Sequence, residues 1–310
     1  MEQWGRRVTL RSVRVARRVV HHDADDITRI VGGWRLRSSG RLAARRQCLF
    51  RAQGFEKLTA IEEGSGRVRI KESKAVVTGG QRGLGAAFVQ ELLRRGAAKV
   101  YATSRTPQSS KNSRVMHPQL DVTDALSVSS LAATAKDANI VVNNAGVIGG
   151  KSLLRSDLEE IRAVFETNYF GALRVARAFA PVLARNDGGV LVDIHSVLSW
   201  APGTAAYGDS KAALWSATNS LRIALREQNI LVIGVYLGYT DTDMVRHLTV
   251  PKNDPKEVAR KVVDAIEQEK TEVLVDEFTK MVKATLSESV EAMEQLVNRA
   301  KTARNESGPP

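Results

Sequence analysis

The sequence predicts one α/β domain, a doubly wound parallel sheet, behind a basic N-terminal extension. Short apolar runs of β type alternate with helical stretches from residue 73 onward. A glycine cluster lies between the first run and the first helix, and neither an internal repeat nor a linker interrupts residues 73–305. Strands joined by long helices imply parallel βαβ units. Right-handed crossovers then place helices on both faces of the sheet.

The elements follow in order. Residues 74–78 form the first strand. Residues 86–95 read as a helix, because Ala87, Phe88, Leu92 and Leu93 fall on one face, and Gly96 ends it in the manner of a helix C-terminal glycine. Strands are expected over 99–103 and 115–120, a helix over 124–135 and a strand over 139–142. One long helix is expected over 158–185, with Pro181 inside it. A strand over 189–194, a helix over 205–228 and a strand over 230–236 come next. Pro255 opens a helix to about residue 269, proline suiting a first turn. The last strand is expected over 271–275, followed by a helical tail over 278–303.

Composition narrows the class. Hydrophobic residues make up 43% of 310 and charged residues 26%, ordinary globular usage that excludes a wholly disordered, collagen-like or coiled-coil chain. No apolar run approaches the length of a membrane span. The single cysteine, Cys48, excludes an intrachain disulfide and a cysteine-built zinc site, and no metal is expected. The net charge of +12 is concentrated at the front: residues 1–72 hold seventeen Lys and Arg against eight Asp and Glu. The remainder is nearly balanced, so basicity does not point to a nucleic-acid partner. Within residues 1–20, Arg6, Arg7, Arg11, Arg14, Arg17 and Arg18 oppose Trp4, Val8, Val15 and Val19 on a helical wheel. That pattern fits a targeting segment; an unstructured extension and a binding arm are the other readings. A cytoplasmic protein is expected, with organelle targeting through residues 1–20 as the alternative.

The motifs that carry chemistry run in one order. Thr78-Gly79-Gly80-Gln81-Arg82-Gly83-Leu84-Gly85 joins the first strand to the first helix. Gly79 permits a sharp exit, Gly83 a close approach to a pyrophosphate, and Gly85 tight packing of helix on sheet; amides at the helix start face the phosphates. Asp121-Val122 follows the third strand and Asn143-Asn144-Ala145-Gly146 the fourth. Asn168 lies in the long helix, Ser196 follows the fifth strand, Tyr207 and Lys211 begin the next helix, and Gly238 to Met244 follow the sixth strand. This series resembles the short-chain dehydrogenase/reductase family, with its Rossmann-type fold, over about residues 73–280.

The resemblance implies an oxidoreductase with a nicotinamide cofactor and a catalytic set of Asn168, Ser196, Tyr207 and Lys211. It implies cofactor contacts from Gly79, Gln81, Arg82, Gly83, Leu84, Gly85, Ser104, Arg105, Asp121, Val122, Asn144, Ala145, Gly146, Tyr207, Lys211, Gly238, Thr240 and Thr242. Tyr207 and Lys211 are four apart and share a helix face. A phenol with a pKa of about 10 is a poor acid–base group at neutral pH, and a neighbouring ammonium favours its ionised form. Ser196 is expected to polarise the substrate carbonyl, and Asn168 to hold a water leading to Lys211.

Three departures from the family pattern stand out. The Ser196–Tyr207 interval is short, which brings in Ser199 as a second candidate serine; His195 precedes Ser196, with no catalytic duty expected; Leu237 precedes Gly238. The second strand ends in Thr103-Ser104-Arg105 with no acid, and Arg82 lies in the glycine turn. Two cations and no carboxylate predict NADP(H) over NAD(H). Segments 147–154, 198–203 and 239–250 are mostly apolar, with Lys151, Arg155 and Arg246 at their edges. They predict a small or medium carbonyl or alcohol substrate. The competing reading is a non-catalytic NADP(H)-sensing regulator on the same fold. A homodimer or homotetramer is expected from the resemblance, through helices 158–185 and 205–228.

Overall fold

Strands β1 (Lys74–Val77), β2 (Lys99–Ala102), β3 (Val115–Met116), β4 (Ile140–Asn143), β5 (Gly189–Ile194), β6 (Ile230–Tyr236) and β7 (Glu272–Leu274) form one sheet. Its order is β3-β2-β1-β4-β5-β6-β7, and every pair is parallel. This computed structural model describes residues 69–203 and 205–306, with side chains to residue 299. The arginine-rich segment over 1–20 lies outside the described residues.

Eight α-helices complete the described part: α1 (Gly83–Arg94), α2 (Ala125–Thr134), α3 (Leu158–Phe165), α4 (Ala172–Arg185), α5 (Ala205–Ala224), α6 (Pro255–Glu267), α7 (Glu277–Ala284) and α8 (Val290–Glu306). The strands bury both faces, and the two-residue period of a strand separates them. Ala75, Val77, Ile140 and Val142 pack with Phe88 and Leu92 of α1 and Val262 and Ile266 of α6. Their neighbours Val76 and Val141 face the other way, against Leu131 of α2 and Phe179 and Leu183 of α4. Ile70, just ahead of β1, is also fully buried in the first of these layers. A third cluster joins Trp200 and Tyr236 to Val282, Met293 and Val297 from the last two helices. No helix among the described residues is long and apolar enough to cross a membrane.

Phe179 has no exposed surface and fills the layer between α4 and the sheet. Phe179→Ala is expected to cost about 3–5 kcal/mol, the transfer of a large side chain plus a residual cavity. Urea unfolding of the purified variant measures it.

Several boundaries depart from the sequence reading. The third strand stops at Met116, because Pro118 has no N–H for a ladder; a lone bridge between Ser104 and Gln119 is all that continues it. The helix expected over 158–185 runs unbroken between those bounds, but with a π-helical turn over Glu166–Gly171 between α3 and α4. The tail is two helices, separated by a 3-10 turn over Thr285–Ser287 and an extended Glu288.

Candidate active site

All seven strands run the same way, so their C-terminal ends meet at one edge. The sheet order reverses between β1 and β4 there, which is where open α/β sheets form a cleft. The glycine turn leaves β1 at this edge, with Gly79 at φ +64° and Gly83 at φ +51°. A Cβ on Gly85 would lie 2.1 Å from the Gly79 carbonyl oxygen, so α1 packs against the turn with no room for a side chain. Arg82, at the cap position, supplies no side-chain acceptor to the first turn of α1. The amides at that helix start therefore have no side-chain cap, the condition under which a helix start receives an anion. The residues present thus fit a dinucleotide phosphate.

The turn is held from β4. Thr78 Oγ1 accepts from the amides of Asn144 and Ala145, each at 2.9 Å. The Asn144 side chain donates to the carbonyls of Thr78, at 2.9 Å, and Gly79, at 3.3 Å. Thr78 opens the glycine motif, and the fold gives it a building role that the motif alone does not assign. Gln81 reaches sideways: its Nε2 donates to Ala102 O, at 3.1 Å, and its Oε1 accepts from Gln108 N, at 2.8 Å, and Ser104 Oγ, at 3.3 Å. Arg82 and Arg105 are both exposed. Asp121 Oδ1 accepts from the amide and hydroxyl of Thr123; these bonds, with the Arg105 charge beyond them, hold its carboxyl below the usual range. Val122 is buried, and its Cγ2 lies where a side chain on Gly171 would go.

The four expected catalytic residues converge. Asn168 sits in the π turn, where the wider winding marks functional positions in many helices. Its Oδ1 accepts from Val147 N at 2.9 Å, and its Nδ2 donates to Val147 O and Ser210 Oγ, both at 3.0 Å. Both amide hydrogens are used, and a second lone pair remains on Oδ1. A Cβ on Gly146 would lie 3.3 Å from Asn168 Oδ1 and 3.8 Å from Lys211 Nζ, so this glycine lets the two side chains approach. Lys211 is buried; its Nζ donates to Ile194 O at 2.7 Å and lies 5.9 Å from the centre of the Tyr207 ring. Burial lowers its pKa to about 8, with the Asp193 charge acting in the opposite sense. Tyr207 is half-buried. Burial pushes its phenol up to about 12, and the Ser196 hydroxyl acts in the opposite sense.

Ser196 lies near enough for its hydroxyl to act on the Tyr207 phenol despite the short interval. It also caps the 3-10 turn over Val197–Ser199, accepting from Leu198 N at 3.2 Å. The loop closes by placing Gly203 at φ +84° and Ala205 at φ +50°, a strained choice for alanine. Ser199 is buried with its hydroxyl unpartnered. His195 is buried in the interior, 3.1 Å from Thr218 Oγ1 and stacked on Tyr236. After β6, Gly238 N donates to Asp276 Oδ2 at 2.8 Å, and Asn253 Nδ2 donates to the same oxygen at 2.9 Å. Thr240 is buried, and Thr242 packs on Gly83, its Cγ2 3.1 Å from where a Cβ there would stand. Asp276 and Asn253 are further site-building residues; their distance in sequence from the motifs concealed them.

Residues 73–253 match the family model described as short chain dehydrogenase. The 1-deoxy-11-beta-hydroxypentalenate dehydrogenase of Streptomyces exfoliatus is 35% identical over 202 residues, which span 60% of this chain and 74% of the relative. Among solved structures, a short chain dehydrogenase from Burkholderia cenocepacia in complex with NADP superposes with a TM-score of 0.70. It is 35% identical, with 74% of this chain and 98% of that one covered. A relative from Burkholderia phymatum in complex with NAD shares the fold, with a TM-score of 0.64, 22% identity and 74% and 96% coverage.

Proposed function

Because the chain belongs to the short-chain dehydrogenase/reductase family, we propose that it interconverts a small or medium apolar carbonyl compound and the corresponding alcohol, with NADP(H) as the preferred cofactor. The observation that carries this reading is buried Lys211, its Nζ 5.9 Å from the centre of the Tyr207 ring on the same helix face and close to Asn168 across Gly146. The nicotinamide cofactor, when bound, supplies or takes up the hydride. Ser196 donates to the carbonyl oxygen and orients it. In reduction the Tyr207 O–H bond breaks and its proton passes to the oxygen of the forming alcohol; in oxidation the phenolate takes that proton back. Gly79, Gln81, Arg82, Gly83, Leu84 and Gly85 would hold the pyrophosphate side of the cofactor. Ser104, Arg105, Asp121 and Val122 would hold its adenosine side. Asn144, Ala145, Gly146, Gly238, Thr240 and Thr242, with Tyr207 and Lys211, would line the nicotinamide side.

Two features support the finer assignments. Arg82 and Arg105 are in no ion pair among the described residues, which leaves both guanidinium groups available to a 2′-phosphate. Ile148, Leu153, Leu154 and Met244 expose apolar surface in the segments expected to form the substrate cleft. The test is turnover of aldehydes and ketones with NADPH and with NADH. Wild type is expected to favour NADPH, and Arg105→Ala to lower kcat/KM for NADPH about 10-fold or more while leaving the NADH value nearly unchanged. Equal losses with both cofactors would remove the 2′-phosphate assignment.

A further inference from the structure

We propose that Asp193 is the buried counter-charge of Lys211, a positioning residue that keeps this side chain an ammonium beside Tyr207. Asp193 is the fifth residue of β5, fully buried. Its Oδ1 accepts from Asn143 Nδ2 at 2.9 Å and its Oδ2 from Thr218 Oγ1 at 2.7 Å. Both donors are neutral. Lys211 donates to the carbonyl of Ile194, the next residue along β5, and that partner is neutral too. Neither charge belongs to an ion pair among the described residues, yet both are shut away from water, the Lys211 ammonium on the backbone of the residue that follows Asp193 in β5. A lone buried charge is costly. Two of opposite sign held this way offset one another through the protein interior, where screening is weak.

The groups around the carboxylate are cationic or neutral. From α5 the charges of Lys211 and Arg222, both cationic, act on it without contact. Arg222 is tied to the carbonyls of Val232 and Thr271. His195, the residue after β5, is kept neutral by burial first and then by the Lys211 and Arg222 charges. Burial keeps the phenols of Tyr236, on β6, and Tyr207, on α5, protonated at neutral pH. The Asp193 carboxyl is pushed up by its own burial; the bonds from Asn143 and Thr218 and the two cations act to keep it ionised. Its field in turn favours the Lys211 ammonium against the burial of that group.

The kinetic half of this inference rests on the Tyr207 and Lys211 reading; the electrostatic half does not. Both are read in Asp193→Asn, which keeps the shape and removes the charge. In the full, cofactor-free chain labelled with 13C-lysine, the Lys211 resonance, assigned through Lys211→Arg, is followed against pH by NMR. Its midpoint is expected to fall by about one pH unit or more on loss of the carboxylate, and the alkaline limb of carbonyl reduction is expected to fall with it. A midpoint and limb that stay in place while kcat or stability drops would make Asp193 merely structural and overturn the proposal. Should Asp193→Asn fail to fold, Thr218→Val removes one donor to the carboxylate and must shift the midpoint the same way, whereas Thr218→Ser must not; equal behaviour of the two overturns it. A lowered midpoint in an enzyme whose rate ignores Tyr207→Phe would keep the counter-charge and discard the catalytic reading instead.

Discussion

Tyr207→Phe is expected to reduce turnover by about three orders of magnitude, the middle of the range for losing a positioned general acid, while the protein folds and binds cofactor as before. The variant removes one hydroxyl from a half-buried ring and leaves the packing of α5 in place. The phenol, held at about 12 by burial, carries its proton throughout the neutral range and can give it up in reduction without prior activation. Oxidation needs the phenolate, so it depends more heavily on the Lys211 ammonium. Since burial brings Lys211 to about 8, the two directions should respond differently as pH rises through that value. Steady-state rates in both directions, with cofactor binding followed by fluorescence, make the measurement. A variant that kept about a tenth of the rate would take the proton transfer away from Tyr207.

Much of this site can be read from the chain because its chemistry is local. A strand, a glycine turn and a helix are each set by neighbours in sequence, and Tyr207 and Lys211 need only one turn of helix to meet. The elements over 189–194 and 230–236 have the bounds their apolar runs suggest. What escapes local reading is set by distant contacts. Nothing in the apolar period of residues 158–185 signals a π turn, because the turn exists to carry Asn168 to Val147 and Ser210, and to let Gly171 pass against Val122. The Asn144 side chain reads as part of a motif; only the fold shows it tying β4 to the glycine turn. Asp193 lies inside an apolar strand and reads as an interruption. Its partners come from β4 and α5, 50 and 25 residues away.

Gly85→Ala should damage fold and cofactor site together. Its Cβ would stand 2.1 Å from the Gly79 carbonyl oxygen, 2.7 Å from Asn144 Nδ2 and 2.9 Å from the Gly79 carbonyl carbon. Two of those atoms are backbone and the third is fastened to the same turn, so no rotamer change relieves the contact. Either α1 lifts from the sheet or the turn opens. Alanine is the better helix former by about 1 kcal/mol, yet overpacking of this kind costs about 1–3 kcal/mol or more, and the net effect should be destabilising. The same displacement would move the amides that face the cofactor phosphates, so cofactor affinity should fall together with the urea midpoint. Gly83→Ala provides the contrast. Its Cβ would meet only the side chain of Thr242, at 3.1 Å and 3.3 Å, and that side chain can turn aside, leaving the cost of φ +51°, about 1 kcal/mol for a non-glycine residue. The expected order of lost stability is therefore Gly85→Ala beyond Gly83→Ala. An unaltered Gly85→Ala would mean that helix and turn are not locked together at this point, and the fit of a dinucleotide phosphate to the turn would lose its structural basis.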